Sequence, residues 1–321
     1  MAEETWTIRR VLEWTRGYLE NKGDEKARLS AEWLLGDATG LSRVQLYTNY
    51  DKPLTKDELA RMHALIERRA AGEPLQYVTG EMPFRHIIVR CESGVLIPRP
   101  ETEVLVDKVL EWLDATDDGN ASDTDNATDA GDAADTDDSR GASAPTAEHR
   151  LILDLCTGTG CIALSIAHER ANTQLIATDI APEAIKLATR NAEALDLQER
   201  VSFIECDLAS GVADELRGHI EVIVSNPPYI PSKLVDQLPS EVSSFEPHLA
   251  LDGGADGLDL FRRIIEVAPH MLKSGGLLAC ELHEESLEQA ADLMSAQGVW
   301  TDVSIHKDLA ERPRIITAVL A

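Results

Sequence analysis

The sequence is poor in whatever would tie it to a membrane, an oxidising compartment or a polyanion. Among its 321 residues no apolar run approaches the roughly 18 needed to span a bilayer, and its first residues do not resemble a signal peptide. No membrane association and a cytoplasmic location are therefore expected. Cysteine is scarce and scattered, with five residues at 91, 156, 161, 206 and 280. An odd, dispersed set argues against a disulfide framework and suits a reducing compartment. Cys156 and Cys161 are too far apart for a CxxC pair, so both are expected simply to pack. The nine histidines show no ligand spacing. His283-Glu284 opens like a zinc-binding HExxH helix, but Leu287 stands where the second His is needed, so no metal site is expected. Positive charge is the remaining shortage: 30 Lys and Arg against 57 Asp and Glu give −27. Residues 114–148 hold eleven acids and only Arg140; removing their ten net charges still leaves −17 on the rest. A body this acidic repels a phosphate backbone, and duplex binding usually needs a basic stripe, so direct nucleic-acid binding is disfavoured.

What is present centres on Asn226-Pro227-Pro228-Tyr229, after the apolar run Val222-Ile223-Val224-Ser225. Two prolines lack N–H groups and fix φ near −65°, so a strand entering them stops pairing. The turn then holds the Asn amide and the prolyl carbonyls at that strand's carboxyl end. An Asn side-chain oxygen with a backbone carbonyl can accept both hydrogens of a flat –NH2 group, and the Tyr ring offers a face for stacking. Such a site grips an amide or an exocyclic amine.

Upstream, Leu151–Leu155 reads as a buried strand running into Cys156-Thr157-Gly158-Thr159-Gly160 and then a helix from Cys161 to Glu169. Glycines at a strand-to-helix turn let a ligand approach the backbone closely. Gly158-x-Gly160-x-x-Ala163 also fits the dinucleotide fingerprint, so this loop alone does not separate NAD from S-adenosylmethionine. A second strand, Gln174–Asp179, ends in a carboxylate 19 residues beyond Gly160, close to the spacing of a ribose-hydroxyl acceptor. A third, Val201–Asp207, again ends in Asp, which could accept from an adenine amine. Alternatively, Asp179 could cap the helix Pro182–Leu195 and Asp207 could be a plain turn. Successive strands thus place a Gly loop, two acids and the amide-gripping turn at their carboxyl ends, where open α/β sheets bind ligands.

Residues 1–73 have helical periodicity. Trp6, Val11, Trp14, Tyr18 and Leu19 share one broad face; Ala31, Trp33, Leu34 and Leu35 mark a second helix ending near Gly36–Gly40; and Thr55-Lys56-Asp57-Glu58 is a capping box opening a third. This bundle suggests a docking module for a protein. Residues 74–98, with apolar segments Gln76–Thr79, Ile87–Cys91 and Val95–Ile97, read as a β-hairpin linker to a catalytic domain over 99–321. Pro100 starts an amphipathic helix through Val104, Leu105, Val109 and Trp112, and Arg99, Glu101 and Glu103 are candidates to border the site. Residues 114–148 have almost nothing to bury and are expected to be a disordered acidic insertion. The stretches around Phe245–His248 and Asp252–Gly257 form a polar, glycine-rich loop able to close a substrate channel.

These motifs, with Gly72-Glu73-Pro74-Leu75-Gln76-Tyr77-Val78-Thr79-Gly80 and Leu96-Ile97-Pro98-Arg99-Pro100-Glu101-Thr102-Glu103, resemble the HemK/PrmC-type glutamine methyltransferases over nearly the whole chain except 114–148. The resemblance implies a Rossmann-like class I α/β fold: a seven-stranded, mostly parallel sheet with an antiparallel edge strand, plus the helical bundle and hairpin. It implies methyl transfer from S-adenosyl-L-methionine to the glutamine amide of the Gly-Gly-Gln motif of class I peptide chain release factors, by a monomer. Residues Cys156, Thr157, Gly158, Thr159 and Gly160 would cradle the methionine part, Asp179 the ribose, and Asp207 and Leu208 would border adenine. Asn226, with Pro227, Pro228 and Tyr229, would hold the substrate amide, Asn226 also reaching the cofactor. Two departures are visible: Cys156 stands where the family often has Gly, harmless if its φ is below zero, and Leu208 stands where an aromatic is common. The rival readings are an adenine-N6 DNA methyltransferase, which shares the turn, and a nicotinamide-dependent dehydrogenase, which leaves the turn unexplained.

Overall fold

The computed structural model of the chain describes residues 5–124 and 149–321. The N-terminal bundle comprises α1 (Ile8–Asn21), α2 (Ala27–Thr39), the short α3 (Arg43–Thr48) and α4 (Lys56–Ala70). Thr55 and Glu58 form the expected capping box, with acids in the first turn of α4 and Arg68 and Arg69 in the last, favourable to the helix dipole. A second box, Ser42 with Gln45, starts α3, which periodicity missed because six residues are too few to show a period. Helix α2 ends where Gly40 turns left-handed at φ 68°. Ile8, Val11, Leu19, Leu34, Leu35, Met62 and Ile66 form the bundle core. Trp14 departs from the expected inward face: it is 49% exposed and stacks on Tyr18 at 5.1 Å.

The linker differs from its sequence reading at its start. Residues expected as its first strand form a helical turn, α5 (Leu75–Thr79), because Leu75 and Val78 face the bundle core; Gly80 ends it at φ 80°. The hairpin is instead β1 (Glu81–Phe84) with β2 (Ile87–Arg90), and Val95 to Ile97 is buried loop. Phe84, Ile87 and Val89 pack into the catalytic core.

Helix α6 (Pro100–Thr124) runs farther than composition suggests. The expectation of disorder over 114–148 fails for its first residues. Asp114 pairs with Arg170 at 2.7 Å, and buried Arg150 donates to the Leu113 carbonyl, the Thr116 hydroxyl and the Asp117 carboxylate. Tertiary ion pairs outweigh weak local propensity there. Residues 125–148 lie outside the described residues.

The catalytic part continues with β3 (Arg150–Leu155), α7 (Cys161–Glu169), β4 (Thr173–Asp179), α8 (Pro182–Ala194), β5 (Val201–Glu205) and β6 (Ile220–Ser225). After β6 come two single-turn helices, α9 (Ser232–Val235) and α10 (Ser240–Ser243), then α11 (Asp259–Met271), β7 (Leu272–Glu281), α12 (Leu287–Gln297), β8 (Trp300–Lys307) and β9 (Pro313–Leu320). The seven-stranded sheet has the order β5-β4-β3-β6-β7-β9-β8. Strands β3 to β7 are parallel, and β9 runs antiparallel between β7 and β8, the expected antiparallel edge pair. Strand residues alternate between two cores: Val222 and Val224 face α6 and α7, while Ile220 and Ile223 face α11 and α12. With both faces covered, β6 reads as a continuous apolar run.

Sheet order reverses between β3 and β6, which lie side by side with Leu155 opposite Ser225. Cys156 and Asn226 therefore leave adjacent strands at the same edge. This is the switch point at which open α/β sheets bind ligands.

Candidate active site

A cavity of about 590 Å³, within the range of pockets that bury a small ligand, opens at that switch point. Cys156, Thr157, Gly158, Thr159, Asp179, Asp207, Leu208, Asn226 and Pro228 line it. Gly160, Pro227 and Tyr229, also singled out from the sequence, do not. Gly160 instead turns the chain into α7 at φ 81°, where an added Cβ would lie 3.1 Å from Ala188 and Leu164. That close approach of α7 to α8, with the positive φ, disfavours any side chain there.

On the loop side, Asp179 is tied down rather than capping α8. Its Oδ2 accepts from the Gly158 N–H and its Oδ1 from the Ala181 N–H, both at 2.9 Å, while the N-cap of α8 is Ala181. Burial pushes its carboxyl up, and these backbone bonds hold it down. Each oxygen keeps a lone pair for a hydroxyl donor. Cys156 has φ +61°, so the condition under which its replacement of Gly would be harmless is not met; Leu208, the other departure, has φ +49°. Both sit in a backbone region that costs an ordinary residue roughly 1–2 kcal/mol. Asp207 is held by Arg263 at 2.6 Å, and both line the cavity.

Two buried acids went unnoticed in the sequence. Asp154, next to last in β3, accepts from the Thr157 hydroxyl at 2.6 Å, and burial raises its carboxyl to about 7. Glu281, at the end of β7, is fully buried and accepts from the Thr102 hydroxyl at 2.7 Å and the Tyr229 hydroxyl at 2.9 Å. Burial pushes Glu281 up, opposed by those two donors and the charge of Arg314.

On the turn side, Asn226 Nδ2 donates to Thr102 Oγ1 at 3.0 Å, and among the described residues its Oδ1 accepts no hydrogen bond. Tyr229 presents its hydroxyl to Glu281 rather than a ring face to the cavity. The glycine-rich loop is zipped to the turn: Ile230 N donates to Leu251 O and Gly253 N to Ile230 O, both at 2.9 Å. Pro247, Leu249, Asp252, Gly253 and Gly254 line the cavity, in the position of a closing loop. Of the three charged candidates at the start of α6, Arg99 lines the cavity and pairs with buried Glu246. Glu101 pairs with Arg312, and Glu103 accepts from the Arg85 N–H. Arg263 is a lining residue that carried no motif and could not have been found without the fold.

The described residues hold no His, Cys, Asp or Glu cluster suited to a metal ion, and no helix long and apolar enough to cross a membrane. The donor set fits S-adenosyl-L-methionine: an acid for ribose hydroxyls, a side-chain-free approach at Gly158, and the apolar Ile180 and Leu208 beside Asp207 for a purine.

Comparison with known proteins points the same way. The family model for the PrmC N-terminal domain matches residues 10–80, and that for the Methyltransferase small domain matches 142–238. A protein of Geobacter sulfurreducens named release factor glutamine methyltransferase is 41% identical over 295 residues, 92% of this chain and 90% of its own length. Proteins of the same name from Moorella thermoacetica and Rhodopirellula baltica are 37% and 35% identical, each covering 97% of this chain and 98% and 96% of their own lengths respectively. Neither the adenine nor the nicotinamide reading gains support from these relatives.

Proposed function

The chain belongs to the release factor glutamine methyltransferases, and from that premise we infer how its cavity divides between methyl donor and substrate. The enzyme methylates the side-chain amide nitrogen of a release factor glutamine, and S-adenosyl-L-methionine supplies the methyl group as an electrophile. Cys156 to Thr159 cradle its methionine part, Asp179 takes the ribose hydroxyls, and Asp207 and Leu208 border the adenine. Asn226 holds the glutamine of a Gly-Gly-Gln motif in a class I release factor, with Pro228 beside it in the cavity wall. Pro228 and Tyr229 keep the turn in place.

The observation that carries this reading is the Asn226 amide: its nitrogen is engaged by Thr102, leaving its oxygen available at the cavity. An amide nitrogen is a poor nucleophile because its lone pair is delocalised. The fixed Asn226 oxygen holds the –NH2 in line and favours positive charge developing on nitrogen. Such positioning is worth on the order of 7 kcal/mol in favourable cases. A nitrogen-alkylated, protonated amide is a strong acid, so its proton leaves to solvent after methyl transfer without a dedicated base.

Residues 1–73 form the docking module for the release factor, joined through the linker 74–98 to the catalytic domain 99–321. Arg69 supports this arrangement, since it bridges Asp24 of the bundle and Glu241 of the segment after the turn, at 2.8 and 3.0 Å. The enzyme works as a cytoplasmic monomer without direct nucleic-acid contact. Labelled methyl transfer to a release factor and to its Gly-Gly-Gln Gln→Ala variant tests the substrate, and incorporation into both alike would refute it. Asn226→Ala should reduce turnover by about a hundredfold or more while cofactor affinity by calorimetry changes only a few-fold.

A further inference from the structure

Asn226 presents two nearly isosteric faces, and only one suits a glutamine amide. With Oδ1 toward the cavity it accepts a substrate N–H; turned by half a rotation it opposes one –NH2 with another. What selects the rotamer is a buried chain from Thr102 to Glu281, a residue that no sequence motif marked. Thr102, in the first turn of α6 and almost wholly buried, donates its hydroxyl hydrogen to Glu281 Oε2 at 2.7 Å. The other carboxylate oxygen, Oε1, receives the Tyr229 hydroxyl at 2.9 Å.

A hydroxyl has one hydrogen to give. Once the Thr102 hydrogen is committed to Glu281, its oxygen can only accept toward Asn226. The 3.0 Å contact then admits Nδ2 and refuses Oδ1. We propose that Thr102 is a positioning residue for the methyl transfer, its proton oriented by Glu281 so that the Asn226 oxygen faces the substrate amide. This rests on the assignment of Asn226 as the holder of that amide. It extends the amide site from the Asn-Pro-Pro-Tyr turn to three strand and helix ends, at β6, α6 and β7.

Steady-state methylation of a release factor by the full chain tests it with three variants. Thr102→Val keeps the volume and removes the hydroxyl, so kcat/KM for the release factor should fall about tenfold, the equivalent of one net hydrogen bond, while the Kd for S-adenosyl-L-methionine stays within twofold. Thr102→Ser restores the hydroxyl and should recover kcat/KM to within about threefold of the parent. The decisive arm is the pair with Asn226→Ala. If Thr102 acts through Asn226, Thr102→Val adds no further loss in that background, whereas a merely structural role gives losses that multiply. Thermal melts of each variant confirm that folded enzyme is compared. The relay is overturned if Thr102→Val changes kcat/KM less than twofold, if Thr102→Ser fails to recover it, or if the Thr102→Val loss persists undiminished beside Asn226→Ala. Should Asn226→Ala alone prove nearly silent, the amide assignment itself fails and takes the relay with it; a severe Asn226→Ala with a silent Thr102→Val removes the relay only.

Discussion

At Cys156 the chain leaves β3 with φ +61°, in a conformation that glycine adopts freely and other residues do not. Cys156→Gly relieves that strain but adds freedom to the unfolded chain. The two effects are each about 1 kcal/mol, so stability should change by less than that and cofactor affinity should be retained. Cys156→Val puts a β-branched side chain where it is most disfavoured and should lower both the melting temperature and S-adenosyl-L-methionine affinity; calorimetry on the two variants checks this pair. Asp154 gives a pH-dependent counterpart. Its carboxyl sits near 7 in the fold against 3.8 as the ordinary value, because it is buried. Between those values the folded chain holds a proton that the unfolded chain has released. Stability therefore falls as pH rises from the lower value toward the upper one, and stays lowered above it. Asp154→Asn removes this titration, so the melting temperature of the variant minus that of the parent should become more positive between about pH 5 and about pH 8. A difference that stays flat across that range would contradict the assignment. Neither feature was legible beforehand: φ is not written in a residue's identity, and Asp154 looks like any polar interruption of a strand.

Among elements, the strands and the loops at their ends were the legible part, since β3, β4, β5 and β6 each pair an apolar run with a terminating Gly, Asp or Pro. Reading failed where a long-range partner decides. Leu75 to Thr79 became helix because the bundle takes up Leu75 and Val78, and α6 lengthened because Arg150 and Arg170 supply cations to its acids. This changes the expected boundary of the dispensable insertion. Replacing 125–148 with a short Gly-Ser linker should leave turnover intact. A deletion starting at Asp114 strips Thr116 and Asp117 from buried Arg150, which keeps Glu221, and should cost about 1–3 kcal/mol. Denaturant melts of the two deletions, compared at equal activity assay conditions, separate these outcomes. The glycine loop is the other element whose role needed the fold. A Cβ on Gly257 would stand 2.2 Å from the Tyr229 carbonyl oxygen, at φ +78°. Gly257→Ala must therefore push the Asn-Pro-Pro-Tyr turn. It should lower kcat by about a hundredfold, the scale of a 1 Å misplacement, with the loss in turnover exceeding any loss in cofactor binding.

For the whole molecule the governing quantity is charge. The net −27 does not shape the fold, whose cores are apolar. It sets which partners approach. A substrate protein with a basic surface is drawn toward such a body over a distance limited by the Debye length, about 10 Å at 0.1 M salt. A small neutral carboxamide entering the cavity gains nothing from that field. The two contributions therefore separate under salt. Raising sodium chloride from about 50 to about 300 mM should raise KM for the release factor several-fold, while kcat at saturation and the Kd for S-adenosyl-L-methionine move little. Substituting Glu13 and Glu20 on the exposed face of α1 by their amides should reproduce the KM effect at low salt if the helical bundle is where the partner docks, and Asp302→Asn on the far edge at β8 should not. A KM indifferent to salt would mean that the release factor is held by apolar contact alone, with the acidity of the chain serving only its solubility.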